Sequence, residues 1–227
     1  MVLDWLRRGG SDDGMTEVAR QTRSMLSDAR HSFDLAMSAL VAGADPAAVV
    51  EDVRSTDRRI NDTEQDVRRR LLVHSTVQGS SDIDTVLAYL MLSRKVERVG
   101  DQAKNILDLA LEGVDLSAAS DIDDLRRWRD DVSRAFEQAQ GIITDPRDDE
   151  AEAFRTQMSA MSRECESRLR ELLHSDEPAQ SAVPRALLFR YLKRTVANLG
   201  GIASALTDPF DLIDYSTVDD ESADVDD

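Results

Sequence analysis

The sequence predicts an all-α fold: six long helices forming two tandem three-helix bundles. Strand signals are nearly absent, with aromatics at 4% and no alternating β-branched runs. Long stretches carry apolar residues at helical spacing, and the two halves of the chain align with each other.

Helix 1 is expected over 15–42 and ends at Gly43-Ala44-Asp45-Pro46; helix 2 spans 46–77 and stops at Gln78-Gly79-Ser80-Ser81. Its apolar stripe is Val53, Ile60, Val67 and Leu71. Helix 3 spans 82–112, with Leu92, Val96, Val99, Ala103, Ile106 and Ala110 on one face, and gives way to a connection from Gly113 to Ser120. Helix 4, over 121–144, carries Trp128 as a packing residue and ends at Thr144-Asp145-Pro146. Helix 5 is expected at 148–174 and helix 6 at 183–207, separated by Ser175 to Pro184. Helices of about 25–30 residues are ~40 Å long at 1.5 Å per residue and pack along apolar stripes into an elongated bundle.

Helices 2 and 5 align at an offset of 100, with Glu64/Glu164, Arg68/Arg168, Arg70/Arg170, Leu72/Leu172 and His74/His174 identical. Helices 3 and 6 align at 96 through Leu92/Leu188, Arg94/Arg190, Arg98/Arg194 and Ile106/Ile202. Helices 1 and 4 align more weakly through Phe33/Phe136 and Ala36/Ala139. The implied layout is a loose leader at 1–14, a first repeat at 15–113, a second at 120–210 and an acidic tail at 216–227.

The 227 residues carry 45 Asp+Glu against 28 Lys+Arg, a formal charge of -17, which argues against a surface that grips nucleic-acid phosphates or anionic lipid. Asp supplies 32 of the acids and Arg 25 of the bases, a surface suited to a salt-rich cytoplasm, where the Debye length falls to roughly 3 Å at 1 M. Cys165 stands alone, so no intrachain disulfide or multi-cysteine zinc site is available. No run approaches the ~18–20 apolar residues that span a bilayer, and Met1 to Gly10 lacks the apolar core of a signal peptide. A cytoplasmic protein without membrane insertion is expected.

Glu97 and Asp101, four apart on helix 3, place like charges on one face, mildly destabilising unless something positive lies between them. Asp57, Asn61 and Glu64 follow helical spacing beside the apolar stripe of helix 2. Facing each other across neighbouring helices, these five form either a capped acidic patch or an oxygen-only ligand set suited to Mg, Ca, Mn or oxidised iron. Glu171-x-x-His174 is half of a ferritin-type signature, but its counterpart at the 100-residue offset is Leu71, which disfavours that reading. His74 and His174 are expected to sit at helix C-termini and His31 on the surface. Trp5 is a candidate anchor of the leader to a partner. No nucleophile motif or phosphate-cradling glycine loop is visible, and Gly200-Gly201 falls inside helix 6. Catalysis is not expected.

The segment Val96-Glu97-Arg98-Val99-Gly100-Asp101-Gln102-Ala103-Lys104-Asn105-Ile106 resembles the Glu-Arg-x-x-Asp-x-Ala-x-Asn-Ile signature of the PhoU family of phosphate-uptake regulators. Asp57-x-x-Ile60-Asn61-x-x-Glu64-x-x-Val67 is similar to that family's helix-2 pattern, and Arg190-Tyr191-Leu192-Lys193-Arg194 stands where a second signature belongs. The resemblance, over about 15–207, implies a six-helix regulator that restrains a phosphate transporter through its ATPase subunit or an associated signalling protein, here as a homodimer. It also implies a metal ion (Fe, Mn, Mg, Zn or Ca) held by Asp57, Asn61, Glu64, Glu97 and Asp101 in the first repeat only. In the second repeat the expected Glu is Lys193, the expected Asp is Ala197, and the 100-residue offset turns Asp57 into Gln157 and Asn61 into Met161. An ion pair between Lys193 and the surviving Glu164 is expected in place of a bound cation.

Overall fold

The computed structural model describes residues 13–79, 82–145 and 147–208. Their regular structure is entirely helical: α1 (Asp13–Val41), α2 (Pro46–Gln78), α3 (Ile83–Leu111), α4 (Ile122–Thr144), α5 (Asp148–Leu173) and α6 (Ala179–Thr207). Trp5, most of the leader and the whole acidic tail lie outside the described residues.

The helix ends have local chemical causes. After α1, Gly43 adopts φ 72°, a left-handed conformation that costs a β-carbon-bearing residue energy. Pro46 then takes the first position of α2, where its missing N–H is no loss, and Asp45 Oδ1 accepts from Ala47 N at 2.9 Å. The connection after α3 is pinned to the first repeat, because Leu116 is buried and its N–H donates to Leu40 O at 2.9 Å.

One boundary differs from expectation. α6 begins at Ala179, capped by Pro178, and carries Pro184 in its second turn rather than starting beside it. Arg185 reinforces this early start: its buried guanidinium donates to Ser181 O at 3.0 Å and pairs with Asp121 at 3.1 Å and with Glu177.

Within the first repeat α3 packs on both α1 and α2; within the second, α5 and α6 are the most extensive pair. The repeats join through α3 against α6 and α1 against α4, leaving one continuous apolar core. In the layer α2-α3-α6-α5, successive helices are neighbours, and α1 and α4 cover one side of it. Trp128 is buried as expected, its ring edge-on to Phe189 with centroids 5.9 Å apart.

Burial defines the repeat register more firmly than identity does. At an offset of 103, the buried positions Thr22, Met25, Ala29, Phe33, Ala36 and Leu40 of α1 fall on Leu125, Trp128, Val132, Phe136, Ala139 and Ile143 of α4, all buried. The offset of 96 likewise superposes the buried faces of α3 and α6, with Leu92, Val96, Ala103 and Ile106 matching Leu188, Leu192, Leu199 and Ile202.

For α2 and α5, however, the identities at offset 100 join unlike environments: Glu64 and His74 are buried, whereas Glu164 and His174 are exposed. An offset of 98 matches Val53, Thr56, Ile60 and Val67 with Ala151, Phe154, Met158 and Cys165, all buried. A shift of two residues rotates a helix by about 200°, so the two registers cannot both describe one packed face.

Phe33 and Phe136, equivalent residues of the two repeats, touch each other with centroids 5.5 Å apart and planes tilted by 37°. Such a self-contact is the mark of a two-fold relation, here between halves of one chain. Lys95, from the first half of α3, meets Gly201, near the end of α6, as an antiparallel pair about that axis requires. A Cβ added at Gly201 would lie 2.9 Å from Lys95 Cε, so the lysine side chain would have to shift.

Candidate functional site

The two predicted acidic sets meet across α2 and α3, on the side of the helical layer away from α1 and α4. Ile60 and Gly100 permit this approach: a Cβ added at Gly100 would stand 3.1 Å from Ile60 Cδ1. Gly100 lies between Glu97 and Asp101, so the closest part of the crossing brings both against α2.

Lys104 joins the two helices. Its Nζ lies 3.3 Å from Asp57 Oδ2 and 3.2 Å from Asp101 Oδ1. Burial opposes the charge on Lys104, yet the hydrogen bond it donates to Asp101 and the neighbouring Asp57 charge outweigh it and raise its pKa. The positive charge that the Glu97/Asp101 spacing demanded is therefore partly supplied by the chain itself.

The remaining carboxylates are less well compensated. Glu64 is buried and pairs with Arg68, while Glu97 pairs with Arg94 at 2.8 Å, each an arginine one turn away on its own helix. The oxygens that face these guanidiniums, Glu64 Oε1 and Glu97 Oε2, are buried and are held by ion pairs without hydrogen-bond geometry. Burial raises the Glu97 pKa, and the charges of Asp101 and Glu64 raise it further against the opposing pull of Arg94. Asn61 is half-buried between the levels of Asp57 and Glu64.

Lys104 thus links Asp57 with Asp101, the charges of Asp101 and Glu64 act on Glu97, and Asn61 lies between Asp57 and Glu64 along α2. Among the described residues, no three His, Cys, Asp or Glu side chains are gathered closely enough to hold a metal ion. The ammonium of Lys104 occupies the Asp57–Asp101 end of the groove, so a metal needs that side chain to swing aside. Helical spacing alone puts Lys104 within reach of Asp101, three residues before it, whereas its contact with Asp57 depends on the separation of α2 and α3.

The Glu97 shift yields a sign-specific prediction. A carboxyl with raised folded pKa favours folding below the ordinary carboxylate range, and that contribution disappears as pH rises through the folded pKa. In chelator-treated protein, Glu97→Gln therefore stabilises at pH 7–8 by about 0.5 kcal/mol and loses this advantage towards pH 4. Thermal unfolding of both proteins across that range checks the sign.

In the second repeat the matching groove is different. In the burial register, Asp57, Asn61 and Glu64 become Arg155, Ser159 and Ser162, and Glu97 and Asp101 become Lys193 and Ala197. Arg155 pairs with Glu152 at 2.9 Å and with Asp208. The expected Lys193–Glu164 ion pair is not formed: Lys193 Nζ pairs with Glu166 at 3.0 Å, and Glu164 faces outward. The cause is the two-residue register shift of α5.

The histidines take ordinary places: His74 Nε2 lies 3.4 Å from Asp82, His31 is an exposed partner of Asp52 at 3.1 Å, and His174 caps α5 at the surface. Glu171 and His174 are both exposed, away from any inward ligand set. Among the described residues, no helix is long and apolar enough to cross a membrane.

Fold and groove define a class: a tandem helical repeat with an acidic crossing between the second and third helices of its first unit. Residues 22–110, the first repeat, match the family model described as PhoU domain. No curated protein and no solved structure matches the chain.

Proposed function

We propose that this protein is a non-enzymatic regulator of phosphate uptake, which restrains a high-affinity phosphate transporter and its signalling when phosphate is sufficient. The observation that carries this reading is the PhoU-domain match over 22–110, whose signature acids Glu97 and Asp101 line the inter-helix groove. Its partner would be the transporter's ATPase subunit or an associated signalling protein, met in the cytoplasm by a homodimer, with no part for nucleic acid.

Asp57, Asn61, Glu64, Glu97 and Asp101 would hold an iron, manganese, magnesium, zinc or calcium ion in the first repeat only. Such an ion would neutralise the groove and brace α2 against α3. The residues themselves make this a switchable contact: Lys104 satisfies Asp57 and Asp101 without metal, and release of its ammonium frees both carboxylates. In the second repeat, Arg155 and Lys193 take positions equivalent to acids, which supports one cation site rather than two.

Deletion of the gene in its source organism tests the reading. Phosphate uptake in phosphate-rich medium should rise severalfold and return on complementation. Unchanged uptake would favour the alternative, a PhoU-like module in another ion-transport or transcription-control circuit.

A further inference from the structure

Helix α6 is electrostatically unlike the rest of this acidic chain. Its 29 residues include no Asp or Glu, but they carry Arg185, Arg190, Lys193 and Arg194. Arg185 is neutralised by Asp121 and Glu177, and Lys193 by Glu166. Arg190 and Arg194, one turn apart, are exposed, and their guanidiniums form no ion pair among the described residues.

Comparison of the repeats shows what these arginines lack. In α3 the matching Arg94 pairs with Glu97 on its own helix at 2.8 Å. In α6 that glutamate is replaced by Lys193, so Arg190, Lys193 and Arg194 put three cations within five residues. Like charges three and four residues apart on a helix repel, and of the three only Lys193 has a carboxylate to offset this. Relief for Arg190 and Arg194 has to come from outside the helix.

The two arginines also continue an apolar stripe. Val183, Leu187, Arg190 and Arg194 follow helical spacing on the open side of α6, with Val183 52% exposed and Leu187 half-buried. The stripe is ~17 Å long at 1.5 Å per residue. Arg98, exposed on α3 and likewise without an ion pair among the described residues, widens it: with Lys95 set against Gly201, antiparallel packing puts Arg98 roughly 6 Å along the axis from Arg194. A small anion would engage the guanidiniums and leave Val183 and Leu187 bare. A protein segment that carries both acids and apolar side chains covers the whole stripe.

We propose that the open side of α6, with Arg98 of α3, is a docking surface for another protein, which sets an acidic segment against Arg190, Arg194 and Arg98 and an apolar flank against Leu187 and Val183. The net charge of -17 sharpens the choice of place, because an acidic segment is repelled by the rest of the surface and received where acids are absent. The surface stands on exposure and charge alone and is independent of any part in phosphate uptake.

Photo-crosslinking in cells of the source organism tests this. p-Benzoylphenylalanine replaces Ala197, exposed one turn beyond Arg194, and mass spectrometry identifies the peptide it joins. The expected result is an Asp- and Glu-rich peptide of another protein, a yield about tenfold lower with Arg190→Glu, Arg194→Glu, and recovery when two acids of that peptide are changed to lysine. No crosslink, or crosslinks only within this chain, to a second copy of it or to lipid, overturn the proposal. So does a partner whose yield ignores the charge reversal or does not recover. Should the reversed variant fail to fold, Arg190→Gln, Arg194→Gln is read in the same way. A charge-dependent partner outside phosphate transport would count against the regulator proposed above and leave the docking surface intact.

Discussion

Phe136→Ala lowers the free energy of unfolding by about 3–5 kcal/mol, the largest single-residue effect expected outside the groove. Phe136 is fully buried at the centre of α4 and meets Phe33 of α1, so truncation opens a void where the two repeats join. The apolar core is continuous across this join, so loss of packing there weakens both repeats together. Phe33→Ala should cost a similar amount, and the double variant should cost less than the sum by about 0.5–1.5 kcal/mol, the coupling of an aromatic pair. Urea unfolding followed by circular dichroism measures all three. A single cooperative transition that moves as one unit is predicted; two separated transitions, with only the second repeat affected, would show that the repeats fold independently.

The second large effect concerns the groove. Lys104→Ala removes the ammonium shared by Asp57 and Asp101 and leaves both carboxylates beside Glu97 and Glu64. At low salt the variant should be less stable by about 1 kcal/mol at pH 7, a figure already reduced because Lys104 is about one-third exposed and screened by solvent. The sign follows from linkage: the raised pKa of Lys104 means that its contribution is present throughout neutral pH and is lost only in alkali, as pH rises through its folded value. Molar salt should erase most of the difference. The same substitution removes a positive charge that competes with a metal ion, so manganese affinity measured by calorimetry should rise about tenfold or more. A variant that loses both stability and manganese binding would show that Lys104 supports the site rather than standing in for its cation.

Much of the architecture was legible in the residues because helix punctuation is local chemistry. Asp45-Pro46 starts α2 through a side-chain cap and a ring-fixed φ, and Gly43 ends α1 by adopting a left-handed turn. Start signals become ambiguous where two compete: Pro178 and Pro184 both qualify for α6, and long-range pairing of Arg185 with Asp121 and Glu177 favours the earlier one.

The repeat register shows a different limit. Identities at offset 100 do not share an environment: Glu64 and His74 are buried on α2, whereas Glu164 and His174 are exposed on α5. The buried positions constrain shape and follow offset 98 instead, although residue types there have diverged, as in Ile60/Met158 and Val67/Cys165. Identity is thus a weaker guide than the pattern of burial when a repeat has lost its ligands.

The groove itself was readable as five residues on two helices, because 3.6-residue periodicity aligns Asp57 with Asn61 and Glu97 with Asp101. Its internal compensation was not, because Lys104 reaches across to α2 at Asp57, a contact that depends on the separation of two helices rather than on spacing within one.

The proposed cation site lies in the first-repeat groove alone, since Arg155 and Lys193 stand in place of acids in the second. Metal content by elemental mass spectrometry tests it most directly, on protein purified without chelator in molar salt, beside a Glu97→Ala, Asp101→Ala variant. The account predicts about one site's worth of metal in the parent chain and its loss in the variant. A parent chain without metal, or a variant that keeps the full complement, would contradict it.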